Sequence, residues 1–254
     1  MRGFWKLLQV QAKLYLREPI ATFFTIFYAP LVLLLFGAIY GNKPNPFYGG
    51  RGAMDVGVPS FIGLIVVTVG LIGLPISAAA ARESGVLRRF RATPLHPLAY
   101  ILSDIASYLL MTLIGVLLLV LTGRAIFHIR FEGNVLSVLA GFLLGTTAFF
   151  ALGYLIAGLA PTARIAQTVG MVLAFPMMFI SGATIPLEVL PAKVRAVGQY
   201  IPLTHVVTLM RGLWFGDSWS QHWKEVAVLV GVCWWEALSR RGRFGGSRNE
   251  RARH

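Results

Sequence analysis

The sequence predicts an all-α integral membrane protein. It has an N-terminal interfacial helix, six transmembrane helices, a short cytoplasmic helix after the second, and a re-entrant or amphipathic external hairpin before the sixth. Three observations predict this. Only 13% of the residues are charged and 56% are hydrophobic, whereas a soluble domain carries about 25% charged residues. Mean hydropathy is +0.70. Apolar runs of roughly 20 residues, the length a helix needs to cross a bilayer, recur along the chain. The layout is an interfacial helix (1–18), a transmembrane domain (19–239) and a basic tail (240–254).

Residues 1–18 carry Arg2, Lys6, Gln9, Lys13 and Arg17 at spacings of 4, 3, 4 and 4. On a helix these fall within an arc of about 80°. Phe4, Trp5, Leu8, Tyr15 and Leu16 cover much of the rest, the pattern of a helix lying in the membrane interface against lipid. Cations run through the segment and no small-residue cleavage site follows, unlike a signal peptide. Pro19 then redirects the chain.

The spans are expected at about 20–40, 57–81, 101–122, 135–159, 168–184 and 223–238. A Gly/Pro/Asn loop (41–55), a polar turn (124–134) and a tight connection (160–167) separate some of them. Residues 185–223 are too polar to span and too apolar for a plain loop. Two short amphipathic helices, 187–199 and 203–214, fit there. The sixth span is the weakest: only 226–235 is clearly apolar. The Arg/Gly-rich tail beyond it is expected not to fold.

With the N-terminus inside, six spans leave 15 of the 23 Lys and Arg residues on the inner side. That excess predicts N-terminus and C-terminus in the cytoplasm of a cell with a plasma or inner membrane. The net charge of +13 needs no nucleic acid. The cations cluster between apolar runs, where topology and anionic headgroups account for them.

The segment after the second span, "ARESGVLRRFRATPLHP", carries more than charge. Gly85 loosens the turn. Leu87 and Phe90 share one side of a short helix with Val86, and Arg88 and Arg91 share the other, with Arg89 nearby. Pro94 and Pro97 stop it. A short helix with one apolar and one arginine face fits a groove on a soluble partner.

These residues carry a resemblance. "ESGVLRRFRATPL" (83–95) resembles the acid-x-Gly-x-Leu-x-Arg run, closed by Ser/Thr-Pro, of ABC-2 type transporter permeases. "FISGATIPLEVLP" (179–191), then "IPLT" and "LMRG", resembles a second motif of that family. The likeness runs over about 5–216. It is closest in flavour to daunorubicin-resistance and nodulation-type permeases, the membrane subunits of ATP-binding-cassette exporters.

The resemblance implies a coupling helix for an ATP-binding subunit, with Glu83, Gly85, Leu87, Arg88, Arg89, Phe90, Arg91 and Pro94 at the contact. Arg2, Lys6, Lys13 and Arg17 would mark the interfacial helix. Ser181, Gly182, Pro186, Pro191, Pro202, Arg211 and Gly212 would shape the re-entrant hairpin. It also implies pairing with a second permease copy, as homo- or heterodimer, and lipid contact. ATP and Mg would be bound by the partner subunit. The chain departs from the family at the sixth span, where "WWEALSRRGRFGG" breaks the apolar run as a shifted reading frame or a divergent tail would.

No Gly-x-x-x-x-Gly-Lys-Ser/Thr run is present to cradle phosphates, so no nucleotide hydrolysis is expected from this chain. His96, His128, His205, His222 and His254 lack metal-ligand spacing. Ser60, Ser77 and Ser103 lack a nearby His/Asp partner. Asp104, just inside the third span, is the most notable acid of the membrane region; because it lies near the boundary rather than the midplane, it is expected to snorkel to the edge or pair with an arginine of the basic segment. Phe149, Phe150, Phe175, Met177, Met178 and Phe179 are expected to pack against helices and lipid. The function expected is export of a lipophilic drug, natural product or lipid-linked glycan. The alternatives are an ion-coupled transporter and a non-transporting membrane anchor.

Overall fold

A computed structural model describes residues 2–85 and 97–250. Among them the regular elements are helical, and one isolated β-bridge, Asn45 with Arg51, closes a loop. In chain order they are α1 (Arg2–Leu16), α2 (Phe23–Tyr40), α3 (Ala53–Glu83), α4 (Pro97–Phe127), α5 (Val135–Leu159), α6 (Ala163–Ile180), α7 (Ala192–Gly198), α8 (Pro202–Trp214) and α9 (Trp223–Glu250). Among the described residues, α2 to α6 are the five helices long and apolar enough to cross a bilayer. The chain is a multi-pass membrane protein.

Capping chemistry fixes several ends. Asn134 accepts from the N–H groups of Leu136 and Ser137, at 2.8 and 3.4 Å, and opens α5. The Thr162 hydroxyl accepts from Ile165 N–H at 3.2 Å and starts α6 at Ala163, five residues before the expected 168. That helix ends at Ile180 because Gly182 takes φ +86°, so Ser181–Thr184 leave the span. The expected helix 187–199 shrinks to Ala192–Gly198, since Pro186–Leu190 form turns and Pro191 sits at the N-cap. α9 continues to Glu250 through a stretch expected not to fold. The helix is already nucleated in 223–236, and Ala, Leu, Arg and Glu favour its extension against Gly242, Gly245 and Gly246.

Two prolines reshape the spans. Pro30 and Pro75 have no N–H, so the carbonyls of Ile26 and Leu71 lose their normal donors. The ladder upstream widens into π-helix at Phe23–Phe27 and Thr68–Gly73. Tyr28 N–H bonds to Phe23 O, and Leu74 N–H to Val69 O. The rearranged backbone meets glycines on neighbouring helices. A Cβ at Gly115 of α4 would stand 2.3 Å from Thr25 O. At Gly153 of α5 it would stand 2.1 Å from Gly70 O, and at Gly170 of α6, 2.0 Å from Leu71 O. α3 is thereby the central helix, with nearly all of 54–71 buried.

α8 is seated in the same way. Its face of Leu203, Val206, Val207, Met210 and Leu213 is buried. A Cβ at Gly63 of α3 would lie 2.8 Å from Val207 Cγ2. At Gly141 and Gly145 of α5 it would lie 2.6 Å from Leu213 Cδ1 and 3.1 Å from Val206 Cγ1. The glycines form a seat that takes branched side chains without a gap.

Gly63→Leu and Gly141→Leu should each lower stability by about 1–3 kcal/mol through overpacking. Gly231→Leu, where nothing lies within 4 Å of the added Cβ, should leave it nearly unchanged. Thermal melting of the detergent-purified protein checks all three.

Candidate functional site

The bundle has two ends. The near end carries α1, residues 82–85 and the start of α4. The far end carries the loop 41–52, the turn 128–134 and the α7–α8 hairpin.

At the near end α1 docks along α4. Tyr15, expected on the membrane side, is buried against protein: its hydroxyl bonds to that of Thr25, and its ring meets Tyr108 edge-on at 5.1 Å. Burial pushes the Tyr15 phenol up to about 12, against the opposing effect of the Thr25 bond. The Ser107 hydroxyl donates to Gln11 Oε1 at 3.4 Å. With that face turned inward, Lys6, Lys13 and Arg17 are exposed together, as their spacing predicts. Arg2 opens the helix.

Arg82 makes a contact the sequence does not announce. Its guanidinium donates to Ala157 O at 2.8 Å and to Ala160 O, with Gly158 O at 3.5 Å. These carbonyls lie at the C-terminus of α5, where helix acceptors lack partners and the dipole favours a cation. The end of α3 is thus tied to the end of α5. Glu83 is exposed, and Gly85 takes φ +68°, which a non-glycine residue rarely adopts. Leu87, Arg88, Arg89, Phe90, Arg91 and Pro94 lie outside the described residues.

Asp104 neither snorkels nor pairs with a described arginine. It is 8% exposed and accepts from the Tyr154 hydroxyl of α5 at 3.1 Å. Tyr154 supplies a donor inside the bundle, while Arg88, Arg89 and Arg91 lie outside the described residues. Phe149, Phe150 and Met178 are packed in the core, Met177 is half-buried, and Phe175 and Phe179 are exposed.

A cleft of about 490 Å³ opens between the α1–α2 turn, α3 and α6. Arg17, Glu18, Ser77 and Gln167 give it a polar lining, and Phe24, Met171 and Phe175 an apolar one. It runs beside the π segment, touching Thr68 and Gly73.

The far end is held by one carboxylate. Asp55 is 2% exposed and accepts from Asn42 Nδ2 at 3.0 Å, Gly52 N–H at 3.0 Å and Arg130 N–H at 2.9 Å. Asn42 Oδ1 accepts in turn from the N–H groups of Met54 and Asp55, and its amide donates to Phe127 O. Two loops and the ends of α3 and α4 meet there. Arg51 pairs with Glu132 at 3.3 Å and lies over the Phe215 ring at 3.6 Å. Trp214 Nε1 donates to Arg130 O at 2.9 Å, closing the hairpin onto the same turn.

The expected hairpin residues fall here as well. The Ser181 hydroxyl accepts from Ala183 N–H at 3.3 Å and is buried. A Cβ at Gly182 would press on Leu187. Pro186 and Pro191 bracket the turns, and Pro202 opens α8. Arg211 donates to Glu188 at 2.6 Å; burial pushes the Glu188 carboxyl up, but Arg211 more than offsets this and holds it below its ordinary value. Gly212 leaves room for His222, whose Nε2 a Cβ there would meet at 1.9 Å. Among the described residues no group of His, Cys, Asp and Glu is placed to hold a metal. Asp55→Ala should cost about 3 kcal/mol by stranding three donors, read as a lowered midpoint of denaturant unfolding.

A family model described as ABC-2 type transporter matches residues 2–215. The chain is 29% identical over 212 residues to the transport permease ycf38 of Cyanophora paradoxa, covering 80% of this chain and 71% of that one. It is 22% identical to the inner membrane transport permease YhhJ of Escherichia coli K12, over 59% of this chain and 41% of the relative. It is 24% identical to YbhS of the same strain, named as a multidrug ABC transporter permease, over 63% of this chain and 43% of the relative. The match thus spans less than half the length of the two bacterial relatives. Read with the five apolar helices, the family match makes this chain a member of the ABC-2 type transporter family, a membrane permease subunit of an ABC transporter.

Proposed function

We propose that this permease exports an amphipathic, largely apolar cargo, driven by a separate ATP-binding subunit that engages residues 82–97. The family implies such a subunit, and the sequence has no phosphate-cradling loop of its own. The partner would hold ATP and Mg. In this reading the near end faces the cytoplasm across a plasma or inner membrane, α9 completes a sixth span, and two permease copies pair around the path.

Two ATP-binding subunits close on ATP and move the segment 86–96. Gly85 lets that segment turn against α3. Arg82, gripping the end carbonyls of α5, carries the displacement to α5 as well. The π segment Thr68–Gly73 is where α3 can bend, since its ladder is already widened. The cleft beside it, polar toward the near end and lined further in by Phe24, Met171 and Phe175, suits cargo with a polar head and a greasy body. A lipophilic drug, a natural product and a lipid-linked glycan share that chemistry; one relative's name refers to multidrug transport.

The observation that carries this reading is the Arg82 grip, which links the motor-facing segment to a helix it does not adjoin in sequence. Reconstituted with an ATP-binding subunit that supports transport by the parent chain, Arg82→Gln should lower transport roughly tenfold, in line with loss of a charge-assisted hydrogen bond. ATP hydrolysis should persist. Arg88→Glu combined with Arg91→Glu should abolish transport without loss of membrane insertion. Intact transport in the double variant, or transport that survives ATP depletion and collapses with the proton gradient, overturns the proposal.

A further inference from the structure

A second cavity, of about 420 Å³, lies at the far end between α3, α4, α5 and α8. It shares no lining residue with the near-end cleft. Its floor is apolar and buried: Ile62, Phe142, Met210 and Trp214 are each at most 3% exposed. Its walls are open: Leu117 of α4 is 56% exposed and Leu139 of α5 is 38% exposed. The cavity therefore opens sideways, between α4 and α5, to where lipid lies.

One charged residue lines it, Arg124. Arg124 sits on the last turn of α4, at the depth where a helix emerges from hydrocarbon into headgroups. Among the described residues no carboxylate lies within ion-pair distance of it. The far-end acids close to its helix end are engaged elsewhere. Glu132 pairs with Arg51, and Asp55 is filled by Asn42 and backbone N–H groups. A cation in a last turn complements the helix dipole wherever it points. Here it also stands at the rim of an apolar cavity open to lipid.

We infer that this cavity is a binding site for an anionic phospholipid of the far leaflet. An acyl chain lies on the Ile62, Phe142 and Met210 floor, and the phosphate meets the Arg124 guanidinium. Guanidinium matches phosphate bidentately, and it is less strongly hydrated than an ammonium. With no acidic group in the lining, a net anionic headgroup is favoured over a zwitterionic one. The chain would wedge α4 from α5 directly beneath Trp214, so the lipid braces the hairpin seat.

The test is lipid retention. The full chain is purified from membranes doped with phosphatidylglycerol in phosphatidylcholine, washed in detergent and examined by native mass spectrometry. Phosphatidylglycerol should be retained over phosphatidylcholine. Arg124→Gln should reduce that retention roughly tenfold, the scale of one charge-assisted contact. Leu139→Trp, on the open wall, should reduce it by filling the cavity while leaving Arg124 in place. Lys193→Gln, an exposed cation on α7 outside the cavity, should leave it unchanged. Undiminished retention in Arg124→Gln overturns the inference. So does an equal loss in Lys193→Gln, which would mean diffuse charge. Loss of cargo transport in Arg124→Gln with lipid retention intact also overturns it, by assigning the cavity to cargo.

Discussion

Three helices can cross within backbone contact only where no Cβ intervenes, and the centre of this bundle depends on that constraint. Gly70 of α3 faces Gly153 of α5, and Leu71 of α3 faces Gly170 of α6, each across a carbonyl oxygen. In lipid there is no hydrophobic force to draw helices together, because acyl chains are as apolar as leucine. Close approach, with its many small dispersion contacts, does that work instead. Proline helps by displacing the ladder upstream, which turns carbonyls toward the neighbouring glycines. The feature that packs α3 most tightly is also the one that leaves it able to bend.

The two ends of the bundle are held by different means. The far end is a dense polar cluster in which Asp55, Asn42, Arg51 and the Trp214 indole join two loops and the hairpin. Every donor that meets Asp55 comes from a different part of the chain, so the cluster resists piecemeal loosening. At the near end the ties among the described residues include Tyr15 with Thr25, Arg82 with α5 and Asp104 with Tyr154.

Much of this was legible in the sequence. Runs of apolar residues placed five spans, because the bilayer sets both their length and their composition. The 4-3-4-4 spacing of Arg2, Lys6, Gln9, Lys13 and Arg17 marks one polar face of α1, on which Lys6, Gln9, Lys13 and Arg17 are exposed. The polar-apolar mixture of 185–223 marked a segment that neither spans nor floats free. Other features could not be read, because they depend on partners distant in sequence. Tyr15 looks like a membrane-facing aromatic until Thr25 and Tyr108 enclose it. Asp104 looks like an edge residue until Tyr154 of another helix supplies a donor. Asn42 and Asp55 carried a faint local signal, polar residues beside a Gly-rich turn just before an apolar run. Arg82 reads as one more cation of the basic segment, while its acceptors, being main chain, leave no trace in residue identity.

That last point has a consequence for how the chain tolerates change. Arg82 holds carbonyl oxygens of residues 157, 158 and 160, and every amino acid supplies the same oxygen. Gly158, with open space where a Cβ would sit, can take other helix-compatible residues and keep its acceptor. Ala157 and Ala160 are buried, so packing limits them to small residues while their oxygens stay the same. Replacing the arginine removes the guanidinium that reaches all three carbonyls, so one codon on one side serves three oxygens on the other.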